Sequence, residues 1–318
     1  MEDVLNNTLI QLNRYPVIDV LDKLLQDKTT KRNIIFATDA YKSEKLDAGK
    51  TTEITSALLF GLDTLSIQPR VLKSQAEQAE RTKKKAEVFT PAWICNRMNN
   101  HCDEEWFGRK DVFNKEVDTE DGKHIWVITE GRIEFPKKKR WQRYVDSKRL
   151  EITCGEAPYI VSRYDAATGN MIPLHERIGI LDRKMRIVNE NTEDYDDWLK
   201  WTYRAFQSVY GYEFQGDNLL IARINLLVSF VDYMEDRWHQ TPTKKELEKV
   251  ANIIVWNIWQ MDGLTGLVPF SKMETLQDSL FDFILQDGEA QGDAVECRIQ
   301  DWRDKSSMTF NSIKRSNK

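Results

Sequence analysis

The chain has 318 residues, of which 41% are hydrophobic and 31% charged, and its formal net charge is −5. This length and composition exclude a disordered protein and allow two domains, or one large domain with a substantial core. The acidic balance excludes a globally basic nucleic-acid-binding protein, so any contact with DNA must come from a local basic patch.

Cysteine usage and the start of the chain predict a cytoplasmic protein. The four cysteines form no C-x-x-C pair and are too sparse for a disulfide framework, which favours free thiols. Cys95, His101 and Cys102 lack the paired spacing of a zinc site, so no metal is expected. The first residues, MEDVLNN, lack the regions of a secretion signal, and no apolar run is long enough to cross a membrane.

Residues 1–70 are predicted to form a mainly helical N-terminal segment. Helical spacing runs through the first 31 residues and is interrupted at Pro16, where the ring must kink or restart a helix. Residues 33–38 predict a short strand, and residues 51–65 predict a helix.

Residues 71–318 are predicted to form a second unit with an insertion at about 109–150. Pro91 follows a polar stretch and is placed to open a helix. Within the insertion, HIWVITEGRIEF predicts a hairpin that turns at Glu130-Gly131, followed by the basic run KKKRWQRY.

Strands and helices alternate after the insertion. A strand ends at Glu151, a helix is predicted over residues 192–210, and a second strand ends at Glu213. A long apolar helix follows with Asp217 as its expected N-cap, and Thr243 to Glu246 reads as the capping box of another helix. Residues 251–263 predict a third, buried strand, so we expect a mostly parallel sheet covered on both faces.

All three of these strands are followed by an acid: Glu151, Glu213 and Asp262. In open α/β sheets, ligands bind at the carboxyl ends of the strands. Carboxylates there repel phosphate and suit a hydroxyl-rich or cationic ligand, and an acid after the second strand commonly binds ribose hydroxyls. The pattern therefore predicts a nucleoside-type ligand without phosphate, and S-adenosylmethionine fits this description.

Four segments resemble motifs of one enzyme family, in the family's order, over residues 86–264. LEITCGEAPYI resembles the first cofactor motif of adenine-specific DNA methyltransferases, and AEVFTPAWICNRM resembles their Phe-Thr-Pro motif. YGYEFQGDNLLIARINLL and WQMDGL are similar to the second and third cofactor motifs. The family that these motifs resemble is the N6-adenine methyltransferase subunit of bacterial restriction-modification systems. It implies an α/β, Rossmann-like class I S-adenosylmethionine-dependent methyltransferase fold.

The resemblance also implies roles for individual residues. Thr90 and Pro91 would touch the methionine part of the cofactor, Glu213 the ribose hydroxyls, and Asp262 the adenine amino group. Glu151 would orient the cofactor's amino group or the glycine loop. The implied cofactor-binding residues are Phe89, Thr90, Pro91, Glu151, Cys154, Gly155, Glu156, Ala157, Glu213, Phe214, Asp262 and Gly263. One departure is that the second glycine of the loop is replaced.

The family's catalytic loop, a polar residue followed by Pro-Pro and an aromatic, is absent, so we assign no catalytic residue. The chain has eight prolines and none is adjacent to another. It stops about where the strand leading into that loop would begin, so we expect a second polypeptide to supply the loop, unless the chain was cut. The alternative is a non-catalytic scaffold, or a subunit that only binds cofactor or DNA.

The basic run in the insertion is a candidate contact for double-stranded DNA. Cations interleaved with aromatics could grip a phosphate backbone, although a solvated hairpin end explains the run equally well. The residues concerned are Lys137, Lys138, Lys139, Arg140 and Arg143.

Overall fold

The computed structural model describes residues 9–43, 48–61, 65–85, 90–137, 139–271 and 294–316, and the predicted site residues Phe89 and Lys138 lie outside this part. The helices of the described part are α1 Val17–Leu25, α2 Ser56–Phe60, α3 Gln75–Lys85, α4 Ala92–Phe107, α5 Trp141–Val145, α6 Ile180–Asn191, α7 Tyr195–Gln207, α8 Gly216–Trp238, α9 Lys244–Asn257 and α10 Phe310–Ser316. Its strands are β1 Asn114–Asp118, β2 His124–Ile128, β3 Arg149–Glu151, β4 Val209–Glu213, β5 Ile258–Gln260, β6 Arg298–Asp301 and β7 Ser306–Thr309. The protein is thus mixed α/β, and no described helix is long and apolar enough to span a membrane.

Three of these strands form a parallel sheet in the order β3-β4-β5, as the alternation of strands and helices predicts. In the register of this sheet, Glu151 lies beside Gly211 and Glu213 lies beside Gln260. Because registered neighbours share a face and side chains alternate along a strand, all four of these residues face the same side of the sheet. The two acids are therefore staggered by two residues along adjacent strands.

The two faces of the sheet are covered differently. On the acid-bearing face, Val209 and Ile258 join the main hydrophobic core, which is formed largely by the helices. On the opposite face, Tyr210, Tyr212 and Trp259 form a second apolar cluster. Cys297, directly before β6, and Ile299, within β6, belong to the same cluster. The expectation of a sheet covered on both faces is confirmed for the described residues.

The N-terminal residues share the main core with the rest of the chain. The fully buried Arg223 of α8 donates hydrogen bonds to the carbonyl oxygens of Leu24, Gln26 and Ile258, which joins α1 to the sheet. Gln260 at the end of β5 accepts from the Ile35 amide at 2.9 Å and donates to the Ile35 oxygen at 2.7 Å. These buried polar bonds fix the N-terminal segment against the carboxyl edge of β5.

Two of the predicted helix boundaries are confirmed at their N-termini. The Pro91 ring precedes Ala92, the first residue of α4. Thr243 and Glu246 form the expected capping box of α9, in which each side chain bonds the other residue's main chain.

Several local predictions were wrong. β2 pairs with β1 through a turn at Asp121-Gly122, and not with residues beyond Gly131. Residues 251–257 continue helix α9, and only Ile258–Gln260 form the strand. Residues 33–38 form isolated bridges instead of a strand.

The N-terminus of α8 also differs from the prediction. Gln215 occupies the N-cap position, and Asp217 lies inside the first turn. Of the predicted helix over residues 51–65, only α2 is helical in the described part.

Candidate functional site

A tight loop follows β3 and lies against the carboxyl end of β4. The Cys154 amide donates to the Tyr212 oxygen at 2.8 Å, which continues the sheet pairing for one more residue. Thr153, Gly155 and Ala157 have positive φ angles of 46°, 54° and 64°, and the Ala157 amide closes the turn onto the Cys154 oxygen at 2.7 Å. A non-glycine residue in this conformation costs roughly 1 kcal/mol or more, so the surrounding structure holds the loop in its shape.

Glu213 is the residue that holds the loop. One of its carboxylate oxygens accepts a hydrogen bond from the Gly155 amide at 2.9 Å, and the other accepts from the Gln215 amide at 3.1 Å. The side chain is buried, with 7% of its surface exposed. The structure therefore brings together two predicted site residues, Gly155 and Glu213, that are 58 positions apart in sequence.

Glu151 lies behind the loop on the same face of the sheet. One of its oxygens accepts from the Tyr159 amide at 3.4 Å. The other oxygen, Oε2, is buried and has no hydrogen-bond partner in the described part of the chain. Burial raises the pKa of Glu151 well above its usual value; the amides of Tyr159 and Ile160 offset part of this, and the negative charge of Glu213 adds to it.

Glu156 has a structural role within the loop. Its carboxylate accepts from the Arg70 amide at 2.7 Å and from the Tyr164 hydroxyl at 2.6 Å, and the side chain is 2% exposed. Its carbonyl oxygen accepts from the Asn225 side chain of α8 at 3.1 Å. This residue thus ties the loop to the chain preceding α3 and to α8.

The Phe-Thr-Pro segment approaches the same loop through Tyr159. Burial raises the pKa of the Tyr159 hydroxyl, on which the nearby Cys95 and Thr90 side chains also act. The Cys95 thiol in turn donates to the Thr90 oxygen at 3.8 Å. Asp165 accepts from the amide of Ala92 at 2.9 Å, which caps the first turn of α4 after Pro91. Described residues of both motifs, Thr90 and Glu151, are therefore neighbours of Tyr159.

The third acid, Asp262, ends a short turn after β5. Its carboxylate accepts from the Leu264 amide at 2.9 Å, and its own amide donates to the Leu267 oxygen. Gly263 lies so close to Tyr212 that a Cβ there would come within 2.8 Å of the tyrosine ring. Asp262 follows β5 as predicted, but its side chain makes a local turn contact.

Phe214, the residue after Glu213, is half-buried and contacts an aromatic ring from beyond the turn. Its ring centroid lies 5.5 Å from that of Phe270, in an edge-to-face arrangement. The Lys50 ammonium lies 5.6 Å from the centre of the Phe270 ring. This pair forms an aromatic surface beside the carboxyl ends of β4 and β5.

Sequence reasoning missed two residues that shape this site. Gly211 of β4 has no side chain, and a Cβ there would lie 3.1 Å from the Cys154 sulfur and 3.2 Å from its Cβ. Asn225 accepts from Arg163 and donates to the main chain of Glu156. Both positions belong to the motif that marks Glu213, so its glycine and asparagine were a usable signal.

A charged cluster next to β4 was also missed. Asp217 at the start of α8 is fully buried and accepts from Lys73 at 3.0 Å, Arg81 at 2.8 Å and the Tyr41 hydroxyl at 2.8 Å. Burial alone would raise the pKa of Asp217, but the two cations outweigh it and lower that pKa. Lys73, Arg81 and Tyr41 also line a polar cavity of about 580 Å³.

The described members of the basic run in the insertion are exposed: Lys137, Lys139, Arg140 and Arg143. Lys139 folds back on the protein, where its ammonium donates to the Trp106 oxygen and lies 4.5 Å from the centre of the Trp106 ring. Arg140 precedes α5, and Arg143 lies within it. The other three, Lys137, Arg140 and Arg143, are exposed to solvent.

These contacts bring Glu151, the 153–157 loop, Glu213 and Thr90 into one region at the carboxyl edge of the parallel sheet. The same region includes the Phe214–Phe270 surface and the turn at Asp262 on the neighbouring strand. The chain itself matches no protein-family model, no curated protein and no solved structure.

Proposed function

We propose that this chain is the S-adenosylmethionine-binding subunit of a DNA adenine-N6 methyltransferase, in a restriction-modification or related defence system. The observation that carries the proposal is the bond from the Gly155 amide to Glu213 across two adjacent parallel strands. It joins a glycine turn and an acid at the edge where open α/β sheets bind nucleosides. The proposal includes a Rossmann-like methyltransferase fold for the parallel sheet and its helices.

The residues around the loop fit such a cofactor. Glu151 carries a buried oxygen without a partner, and a buried unpaired acceptor costs about 1–3 kcal/mol. The ammonium group of the methionine part is a suitable partner, because it would supply both a donor and a compensating positive charge. Glu213 would accept from the ribose hydroxyls, and Phe214 would flank the adenine ring.

S-adenosylmethionine would supply a methyl group from its positively charged sulfur. The chain's own part in the reaction is to bind and orient that group, and to exclude water from it by the packed 153–157 loop. Positioning of this kind contributes a large part of the rate enhancement in group transfer.

A second chain would supply the loop that holds the adenine amino group, since this sequence has no adjacent prolines. In the described part of the chain, β3 has a strand neighbour on one side only. Leu150 of this edge strand and Ile152 just after it are 44% and 65% exposed, and an unpaired edge strand offers main-chain groups for pairing. The open edge supports a partner that adds a strand beside β3.

Double-stranded DNA is the proposed substrate. The exposed cations Lys137, Arg140 and Arg143 support contacts with the phosphate backbone, in which attraction between opposite charges dominates. Such contacts would place DNA beside the insertion and make its binding strongly dependent on salt concentration.

A non-catalytic scaffold is the second candidate, and one observation favours it. Both oxygens of Glu213 already accept main-chain amides, and Asp262 accepts an amide of its own turn. Strand-end acids that serve the fold in this way do not require a cofactor.

Calorimetric titration of the purified chain with S-adenosylmethionine tests the cofactor proposal. We expect saturable binding by the wild type and at least tenfold weaker binding by Glu151→Gln, which lacks the negative charge. Glu105→Gln, a change at an exposed glutamate of α4, is the matched control and should bind like the wild type. Failure of the folded wild type to bind would reject the cofactor and favour the scaffold.

Transfer of a tritiated methyl group to duplex DNA tests the need for a second chain. The chain alone should give no transfer, and addition of a protein that carries the Pro-Pro-aromatic loop should restore it. If the single chain transfers the methyl group and Glu151→Gln abolishes this transfer, then the sequence contains a catalytic loop of another kind.

A further inference from the structure

A separate polar cavity of about 370 Å³ lies between the β1–β2 hairpin, α6 and the C-terminal part of α8. Its volume falls at the lower end of the range found for small-molecule sites. Phe113 and Ile128 contribute apolar surface, while Arg177, Arg186, Asn189 and Asp236 contribute polar groups. It includes none of the acids Glu151, Glu213 and Asp262 and no residue of the 153–157 loop.

Arg177 is the residue of this cavity whose hydrogen bonding is incomplete. Its side chain is 6% exposed, and its Nη2 donates to Asp232 at 2.7 Å. Its Nε and Nη1 atoms are buried and have no hydrogen-bond partner among the described residues. Because a guanidinium cannot lose its charge in a protein, these donors cannot be satisfied by deprotonation.

Two other arginines that line the cavity, Arg183 and Arg186, have protein acceptors for all of their nitrogens. Arg183 donates to Asp103, Asn96 and the Ile178 oxygen. Arg186 donates to Glu190 and to three main-chain oxygens of the insertion. Arg177, by contrast, has an acceptor for one nitrogen only, Asp232, although the negative charge of Asp182 also favours its guanidinium.

The acids that line the cavity are engaged as well. Asp182 accepts from Ser162, Gly179 and the Tyr233 hydroxyl. Asp236 pairs with His175 at 3.2 Å. These acids therefore supply no hydrogen bond to Nε and Nη1 of Arg177, and the planar donors of a guanidinium suit an oxyanion.

We propose that this cavity binds a phosphate monoester through Arg177. Because Nε and Nη1 are buried, a small rotation of the Arg177 side chain would have to turn them towards the cavity, where the phosphate group would accept from them. The remaining volume would hold the organic part beside Asn189 and the apolar surface of Phe113 and Ile128. The proposal is independent of the S-adenosylmethionine site, because the two regions share no residue.

Calorimetry on the full chain, in a buffer without phosphate, tests this with three probes: inorganic phosphate, adenosine monophosphate and adenosine. We expect saturable binding of the first two, with the monophosphate tighter, and no binding of adenosine. Arg177→Gln should weaken phosphate binding at least tenfold, because charge-assisted hydrogen bonds are lost. Lys200→Gln, which removes one positive charge from an exposed position of α7, should leave binding unchanged.

Asp232→Asn separates ligand binding from the ion pair. This variant loses the same ion pair as Arg177→Gln but retains the guanidinium, so it should bind phosphate at least as tightly as the wild type. The proposal is overturned if neither phosphate nor the monophosphate binds the wild type, or if adenosine binds as well as its monophosphate. It is also overturned if Asp232→Asn loses as much affinity as Arg177→Gln. The wild-type titrations decide the question even if Arg177→Gln does not fold.

Discussion

Replacement of Glu213 by alanine is expected to loosen the 153–157 loop. The carboxylate is 7% exposed and accepts two main-chain amides, from Gly155 at 2.9 Å and from Gln215 at 3.1 Å. Each hydrogen bond to a charged group contributes about 1.5–3 kcal/mol, so two lost bonds correspond to about 3–6 kcal/mol. Water that enters the vacated space recovers part of this. We therefore expect Glu213→Ala to lose about 3 kcal/mol of unfolding free energy.

Urea unfolding and calorimetry together test this reasoning. Glu213→Gln retains one acceptor oxygen and should lose about half as much stability as Glu213→Ala. If Glu213 binds the ribose hydroxyls as proposed, both variants should also bind S-adenosylmethionine at least tenfold more weakly. Stability of Glu213→Ala within about 0.5 kcal/mol of the wild type would refute the role in the loop. Unchanged cofactor affinity in the folded variant would refute the ribose contact.

Two further variants test the surroundings of that loop. Because burial raises the pKa of Glu151 above its unfolded value, its contribution to stability is greatest below the unfolded pKa and falls as pH rises towards the raised value. Glu151→Gln should flatten this fall in urea unfolding from pH 5 to pH 8, and equal pH slopes for both proteins would contradict the expectation. Gly211→Ala should lose about 1–3 kcal/mol, because its Cβ would lie 3.1 Å from the Cys154 sulfur. Cys154→Ala in the same chain should restore part of that loss, and strict additivity of the two changes would show that the contact is not the cause.

Elements with a strong local signal were predictable from the sequence. The strand ending at Glu213 has the bounds that the pattern indicates, within a residue or two, and the helix capped by Thr243 begins where the pattern indicates. Their signals are local: an apolar run that ends in an acid, and a capping box. Such signals remain valid in the folded protein because they act within one turn of the chain.

The errors arose where two structures share one local pattern. Residues 251–257 are mostly apolar, and such a run suits a buried helix or a buried strand equally. The capping box at Thr243 had already started a helix, which continues to Asn257. In the insertion, Asp121-Gly122 is a stronger hairpin signal than Glu130-Gly131, and the structure turns there.

Long-range pairing could not be predicted from one sequence. Asp217 looks like an N-cap, yet it pairs with Lys73 and Arg81, which lie 144 and 136 positions earlier in the chain. Nothing local to these cations distinguishes them from solvated surface residues. They form a cluster only because the complete fold buries them together with Asp217.

The acids in and around the 153–157 loop also differ in how far the fold alone explains them. Glu213 and Glu156 each accept hydrogen bonds from the protein on both carboxylate oxygens, so the loop requires acceptors at these positions with or without a ligand. Glu151 is different, because its Oε2 is buried without a partner and its charge is opposed by burial and by Glu213. An isolated fold would gain stability from an uncharged residue there, whereas a cationic ligand would reverse that preference. The position is therefore costly without a ligand, which makes Glu151 the acid whose presence most directly favours a bound cation.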